Sequence, residues 1–280
     1  KYRMCYNLAN ELPQIDINDY ENPKHMFSEN HLIYMTIKQK GEKTSYIGRF
    51  FEKEIYELSE DLAISLLKDA EMMHTLNKHP SSIKLIGFCP VDFNGCNKPV
   101  IVTEFYNDYL RLNNFIKSCS KYAAYYGWND AKKMINLFGI ASMMQYLISN
   151  KIKINNFSTS NFVLDDNLYP KFVDFKYCEE IYSDIEEIEE DEVLQFSFII
   201  YEIATNHKLC NDTMNIWKMH KKNPGLAPPV IIDDIHRCYK SLIWHCLSFI
   251  LDSYKTFSGI RQLLRISAYI LTKESEKKEY

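Results

Sequence analysis

The stretch from Leu147 to Cys178, LISNKIKINNFSTSNFVLDDNLYPKFVDFKYC, decides the fold class of this 280-residue chain. Its second half, FVLDDNLYPKFVDF, has the pattern of two short strands joined by a polar turn. Helical patterns lie on both sides. Upstream, Asn129 is the predicted N-cap of a helix with a broad apolar face, and downstream residues 192–204 predict a strongly apolar helix. The quoted stretch is therefore a short β element inserted into a mainly helical region.

The chain before this region has a different pattern, because it is rich in strands. HLIYMTIK and YIGRFF, between His31 and Phe51, predict two strands around the turn QKGEKTS, and SIKLIGF and PVIVTEF predict two more. A helix that ends before His79-Pro80 separates the two pairs. Residues 236–271 predict two further helices near the end of the chain. A small β-rich half with one helix, followed by a larger helical half, belongs to the α+β class.

Composition excludes some classes of function. A net charge of −4 gives no reason to expect nucleic-acid binding, and no long uncharged apolar run predicts a membrane span. Eight cysteines without a CxxC pair indicate a reducing compartment, so we expect a cytoplasmic protein. The cluster of His236, Cys238, His245 and Cys246 has the residue types of a metal site, but its helical spacing favours buried helix positions.

Several segments, taken in order, resemble a eukaryotic protein kinase domain over about residues 26–270. The quoted stretch resembles the HRDLKPxN…DFG region, PVIVTEF resembles strand β5 with its hinge, and EVLQFSFIIYEIAT resembles the αF helix. These motifs are most similar to those of the tyrosine-kinase-like branch. The resemblance implies a bilobal fold. We expect an irregular leader at 1–25, an N-lobe with hinge at 26–106, a C-lobe at 107–272 and a polar tail at 273–280.

The resemblance also assigns the ion pair that grips nucleotide phosphates in active kinases. Arg49 stands at the position of the β3 lysine, and Asp69 stands at the position of the αC glutamate, with Glu71 as the other candidate. An Arg49–Asp69 pair preserves the ion pair but changes the phosphate geometry, because arginine is a longer planar fork. The alternative is that Arg49 is an exposed arginine on an edge strand.

The rest of the nucleotide site implied by the resemblance is degenerate. The loop that covers the phosphates corresponds to residues 27–33, FSENHLI, and it contains no glycine, so side chains obstruct the approach of a phosphate. Ile47 replaces the alanine that touches adenine and partly fills that pocket. Thr103 is the gatekeeper position, and Glu104 and Tyr106 belong to the hinge.

The catalytic positions are changed as well. Asn156 stands where the resemblance places the catalytic base and has no carboxylate to accept a proton. Asn161 and Asp174 stand at the two Mg²⁺-ligand positions with suitable oxygens. The alternative is a structural role, with Asn161 bonded to the loop backbone and Asp174 capping a turn. Lys176 replaces the DFG glycine, and we expect it to neutralise Asp174 in place of a metal.

The segment after Asp174 is short and lacks an APE motif. It contains the acidic run DIEEIEEDE (184–192), which is either a solvated segment or a docking patch for a basic partner. The arginine that pairs with the APE glutamate in the family is replaced by Tyr254, so both halves of that ion pair are absent. Met73, Phe175 and Ile154 are expected to stack as a hydrophobic spine.

These changes lead to three interpretations of function. The first is a catalytically inactive protein-kinase-like domain, a pseudokinase, which acts as a protein-interaction or allosteric module in signalling. It needs no cofactor, and its partner is a protein, either a basic one or an active kinase. The second is a divergent serine/threonine kinase of the tyrosine-kinase-like group, with weak Mg·ATP binding and weak phosphotransfer. The third is a pseudokinase that still binds a nucleotide, which stabilises its binding-competent conformation.

Overall fold

The β-rich half of the sequence forms one five-stranded antiparallel sheet in the computed structural model. Its strand order is β1-β2-β3-β5-β4, so β3 is the central strand. The strands are β1 (Tyr20–Glu29), β2 (Leu32–Gln39), β3 (Ser45–Phe51), β4 (Leu85–Cys89) and β5 (Val100–Glu104). Helix α1 (Glu60–Leu76) lies between β3 and β4 in sequence. The two strand pairs and the intervening helix predicted from the sequence are confirmed.

The described part of the chain consists of residues 10–29, 31–52, 60–107, 110–118, 127–223, 235–247 and 256–276. It divides into two units. Unit 1 comprises residues 1–106 and Val173–Lys176, and unit 2 comprises Asn107–Phe172 and Tyr177–Tyr280. The segment Val173–Lys176 therefore belongs with the sheet, although it follows most of the helical half in sequence.

The first part of the chain is less irregular than predicted. Strand β1 begins at Tyr20, so residues 20–25 of the expected leader are part of the sheet. Ahead of it, the backbone N–H of Ile15 donates to the carbonyl of Phe88 on edge strand β4 at 3.0 Å. A Cβ atom at Gly87 would lie 2.3 Å from Ile15 Cγ2, so only glycine allows the segment to approach this closely.

The two faces of the sheet have different partners. Side chains on one face form a core cluster with the segment before β1. Its buried members are Ile17, Tyr20, Ile37, Phe50, Cys89, Val100 and Val102. Because side chains alternate along a strand, Ile47, Arg49 and Phe51 of β3 point to the opposite face. This second face carries the candidate site.

Unit 2 contains five long helices among its described residues. They are α2 (Asp130–Ser149), α3 (Ile185–Thr205), α4 (Asn211–Lys222), α5 (Arg237–Leu247) and α6 (Phe257–Glu276). Two small antiparallel pairs join β6 (Ile152–Ile154) to β9 (Cys178–Glu180) and β7 (Phe162–Leu164) to β8 (Pro170–Phe172). The predicted N-cap is confirmed, because Asn129 Oδ1 accepts a hydrogen bond from Lys132 N at 3.0 Å. A sheet-rich unit and a mainly helical unit confirm the α+β fold class.

Two helices in unit 2 extend beyond their predicted bounds. Helix α3 begins at Ile185 and not at residue 192, with Asp184 as the N-cap, so it includes most of the acidic run. Residues 273–276 of the expected polar tail are helical, because α6 continues to Glu276. Helix α4 was not predicted at all. None of the helices that the structure describes has an apolar stretch long enough to span a bilayer.

The four residues with metal-ligand side chains near the end of the chain lie at separate places on and beside α5. Cys238 and Cys246 are buried on the helix, as its spacing predicted. His236 Nε2 lies 2.7 Å from Glu274 Oε2, and His245 Nδ1 lies 2.6 Å from the carbonyl oxygen of Ser241. Among the described residues, no group of three or more His, Cys, Asp or Glu side chains is arranged to hold a metal.

Candidate functional site

Arg49 lies at the centre of the candidate site in unit 1. It is on the central strand β3 and only 3% exposed, so the alternative of an exposed arginine on an edge strand is wrong. Its guanidinium donates to the carboxylate of Asp69 on α1 and lies 3.8 Å from Met73 Sδ. The ring of Tyr34, which is opposite Arg49 on β2, lies 5.4 Å from the guanidinium carbon in a cation–π contact. Arg49 is therefore enclosed by contacts within unit 1.

The surrounding charges keep Arg49 ionised. Burial alone lowers the pKa of an arginine, but the carboxylate of Asp69 outweighs this effect, with help from Tyr34, Tyr106 and Asp174, and the pKa of Arg49 is raised. Asp69 is 6% exposed, whereas the other candidate partner, Glu71, is partly exposed. The structure thus forms a buried Arg49–Asp69 ion pair, as the alignment of the two positions predicted.

Ile47 and the hinge positions lie on or just after the paired strands β3 and β5. Ile47 is opposite Thr103 in this pairing, and both residues are fully buried. Glu104 is partly exposed, and its Oε1 accepts a hydrogen bond from Lys84 N at 3.1 Å. Tyr106 follows β5 and is 4% exposed. That Ile47 partly fills an adenine pocket stays a prediction.

The hairpin of β1 and β2 corresponds to the phosphate-covering loop. Its strands pair up to Glu29 and Leu32, and His31 has a φ of 65° in the connection, while Asn30 lies outside the described residues. The rings of Phe27 and Tyr34 stack with centroids 4.3 Å apart and planes inclined by 15°. The aromatic side chains of the hairpin thus lie over Arg49 instead of a glycine-lined opening.

Lys176 forms an ion pair with the β1–β2 hairpin, which was not predicted. Its Nζ lies 3.0 Å from Glu29 Oε2. Burial lowers the pKa of Lys176, but the hydrogen bond and charge of Glu29, together with the charges of Tyr34 and Asp174, outweigh it, and the pKa is raised. Glu29 is thus an anionic partner of Lys176, and the neutralisation of Asp174 by Lys176 in place of a metal stays a prediction.

In unit 2, the catalytic-loop segment is held by backbone hydrogen bonds. Ile154 N donates to Glu192 Oε1 at 2.9 Å, and Asn155 N donates to the carbonyl of Tyr177 at 2.8 Å. Asn156 is exposed and has a φ of 60°, a left-handed conformation that asparagine adopts more readily than most residues. The catalytic-base position thus keeps its place in the loop without a carboxylate.

Asn161, the first candidate metal ligand, lies at the end of the same segment. Its Oδ1 accepts a hydrogen bond from Ser158 N at 2.7 Å, and its own N–H donates to the Ser158 carbonyl at 3.1 Å. The residue is 2% exposed. This is the backbone-bonding role that the structural alternative described. Asp174, the second candidate, belongs to unit 1, where its charge acts on Arg49, Asp69 and Lys176.

Two residues that contact segments of the candidate site, Glu29 and Glu192, were not predicted from the sequence. Glu29 lies in the glycine-free loop, and no local pattern distinguishes it from other exposed acids. Glu192 is 5% exposed, and burial raises its pKa to about 8, with the Ile154 hydrogen bond opposing and Glu189 adding to the shift. A signal for Glu192 existed, because it stands at the acidic position that opens the αF motif DVxxFG.

Two further predictions concern residues whose relation the structure does not describe. Met73 and Phe175 are buried in unit 1 and Ile154 is buried in unit 2, so their stacking as a spine stays a prediction. Tyr254, the replacement for the arginine of the APE ion pair, lies outside the described residues.

Comparison with known proteins supports a protein-kinase-like domain. Residues 51–219, more than half of the chain, match the family model of the protein tyrosine and serine/threonine kinases. The match includes α1 and the catalytic-loop segment, but it begins after the β1–β2 hairpin, Ile47 and Arg49. A comparison with curated proteins finds no match. The chain therefore belongs to the protein tyrosine and serine/threonine kinase family.

Proposed function

We propose that this chain is a pseudokinase, a degenerate member of the tyrosine-kinase-like branch that acts as a protein-interaction or allosteric module without phosphotransfer. The observation that carries the proposal is Asn156, which is exposed at the catalytic-base position and has no carboxylate to accept a proton. The Tyr34 ring over the guanidinium of Arg49 and the Phe27 ring stacked on Tyr34 support it, because they cover the residue at the phosphate-gripping position.

The residues of the site also do not fit Mg·ATP. Ile47 fills the position where the family has alanine, and the Phe27–Tyr34 stack lies where glycines normally let a phosphate approach. Asn161 Oδ1 accepts the Ser158 N–H, which gives this side chain a structural role that needs no metal. We therefore propose that the domain works without a nucleotide or metal cofactor.

The catalytic-loop segment supports the same conclusion for the chemical step. An amide at position 156 cannot accept the substrate hydroxyl proton, and a positioned base typically contributes about 10²–10⁴-fold in rate. Asn156 is exposed, and the segment around it keeps its backbone bonds to Glu192 and Tyr177. The scaffold is maintained, which suits a binding role.

The same proposal indicates what kind of molecule the domain binds. A kinase-like domain without transfer acts through its surface, so we propose a protein partner in cytoplasmic signalling, either a basic protein or an active kinase. Glu186 and Glu187 in the first turn of α3 are exposed and supply acidic charge for a basic partner. The scattered cysteines of the sequence suit a reducing compartment.

One observation favours a second function, a divergent serine/threonine kinase. Asn161 and Asp174 both keep the residue types of the Mg²⁺ ligands. In that case, positioning alone would supply a weak rate.

The two functions are separated by incubating the purified domain with ATP, Mg²⁺ and generic protein substrates. We expect no metal-dependent phosphate transfer above a blank without protein. Transfer that is abolished by Asp174→Ala would overturn the proposal. A thermal-shift titration with ATP, with and without Mg²⁺, tests nucleotide binding separately, because a ligand at 100-fold excess over its Kd adds about 2.7 kcal/mol of stability.

A further inference from the structure

The tip of the β1–β2 hairpin is tied to a segment far away in sequence. Glu29 is the last residue of β1, and Lys176 closes the segment Val173–Lys176 that joins unit 1. We propose that the Glu29–Lys176 ion pair is a clasp that holds this hairpin closed over Arg49. The clasp deepens the proposed function and rests on it for its role, since it keeps the phosphate-gripping position closed to a nucleotide.

The layers beneath the hairpin show what the clasp covers. Phe27 stacks on Tyr34, and Tyr34 lies over the guanidinium of Arg49, which is paired with Asp69 on α1. The side chains of all these layers belong to unit 1. Lifting the hairpin would separate the aromatic rings from Arg49 while the ion pair with α1 remains.

A small cavity lies directly beside these layers. It has a volume of about 110 Å³ and is lined mainly by apolar side chains, among them Leu32, Phe51 and Leu66, with Glu29 and Lys176 at its wall. This volume holds only a few water molecules, which occupy about 30 Å³ each in the liquid. The ion pair therefore borders a small space beside the hairpin that is too small for a nucleotide.

The partial exposure of both side chains agrees with an ion pair that can form and break. Lys176 and Glu29 side chains are 24% and 43% exposed, so water and salt weaken the pair without removing it. Glu29 is the strongest of the charges that act on Lys176, and Tyr34 and Asp174 act in the same direction. Asp174 belongs to the segment that Lys176 anchors, whereas Glu29 is the link from that segment to the hairpin.

Hydrogen exchange of the hairpin amides in the full chain tests the clasp. Glu29→Gln and Lys176→Met remove one charge each, and we expect the amides of β1 and β2 near Glu29 to exchange about two- to fivefold faster in each variant. The double variant should be no faster than either single variant, since both break the same pair. Lys176→Arg keeps the cation and should restore wild-type exchange. Raising the salt concentration should narrow the difference between wild type and variants.

A matched control exists in unit 2. Lys153 and Glu179 form a pair of 3.4 Å with side chains 33% and 56% exposed, so Glu179→Gln removes a comparable ion pair far from the hairpin in sequence. This variant should leave hairpin exchange unchanged. Unchanged exchange in Glu29→Gln and Lys176→Met, or additive effects in the double variant, would overturn the clasp. The phosphotransfer assay has no part in this readout, so the clasp and the proposed function fail separately.

Discussion

Each unit contains one part of the candidate site, and the two parts differ in how their polar side chains are held. In unit 1 two charges are buried, because Arg49 and Asp69 pair with each other. In unit 2 the side chain that we propose at the catalytic-base position, Asn156, is an exposed amide, while backbone bonds hold the segment around it. A catalytic carboxylate in an exposed loop can be lost without structural consequence, but a buried cation needs its partner.

The largest expected effect comes from removing Asp69, the partner of the buried cation Arg49. Asp69→Ala leaves Arg49 charged and enclosed, so we expect the free energy of unfolding to fall by about 3–5 kcal/mol. Urea unfolding of the purified domain measures this change. By contrast, Arg49→Met combined with Asp69→Leu removes both charges and should cost about 1 kcal/mol or less, or even stabilise the domain.

Glu71→Ala is the matched control on the same helix. Glu71 is partly exposed and was the other candidate partner of Arg49, so its removal should change stability by less than about 0.5 kcal/mol. A loss in Asp69→Ala as small as the loss in Glu71→Ala would contradict the importance of the buried pair.

In unit 2, the buried acid that holds the loop should produce a pH dependence. Burial raises the pKa of Glu192 to about 8, with Glu189 raising it further and the Ile154 N–H and Lys153 lowering it. Between the unfolded pKa near 4.5 and the folded pKa, the native state holds a proton that the unfolded state has released. Stability from this group is therefore full at low pH and falls as the pH rises, by at most about 1.4 kcal/mol per unit.

Glu192→Gln removes this titration and keeps an oxygen that can accept from Ile154 N. We expect the variant to be more stable than wild type by about 2 kcal/mol at pH 7.5, and nearly equal to it at pH 5. Urea unfolding at the two pH values measures the difference. If the gap between variant and wild type did not grow with pH, Glu192 would not be the buried titrating group of unit 2.

The Arg49–Asp69 pair could be predicted because the resemblance to the kinase family assigns both positions, and the local periodicity agrees with that assignment. Arg49 follows Ile47 on the same face of a strand, and Asp69 lies between Leu66 and Met73 on the buried side of a helix. The Glu29–Lys176 pair could not be predicted in the same way. It joins residues far apart in sequence, and only the position of the segment Val173–Lys176 in unit 1 brings them together.

The start of α3 and strand β1 show where sequence patterns were misleading. The apolar pattern predicted this helix only from residue 192, but Asp184 caps α3, and the first turn of a helix stabilises acidic side chains such as Glu186. Glu186 and Glu187 are exposed, as expected for a solvated acidic run. Further along the run, Glu192 turns into the interior. Strand β1 was missed because most of its residues are exposed, and Asn22 has a φ of 56° beside a register shift, so no apolar alternation marks it.

The smallest expected effect separates the structural from the metal-binding role of Asn161. Asn161→Ala removes the acceptor of the Ser158 N–H, so we expect a loss of about 1–2 kcal/mol that is the same in EDTA and in Mg²⁺. Asn161→Asp keeps an acceptor oxygen and should lose less. A loss that appears only in the presence of Mg²⁺ would assign the side chain to a metal. Unit 2 would then have kept a metal-binding side chain, whereas the charged pair of unit 1, Arg49 and Asp69, is buried.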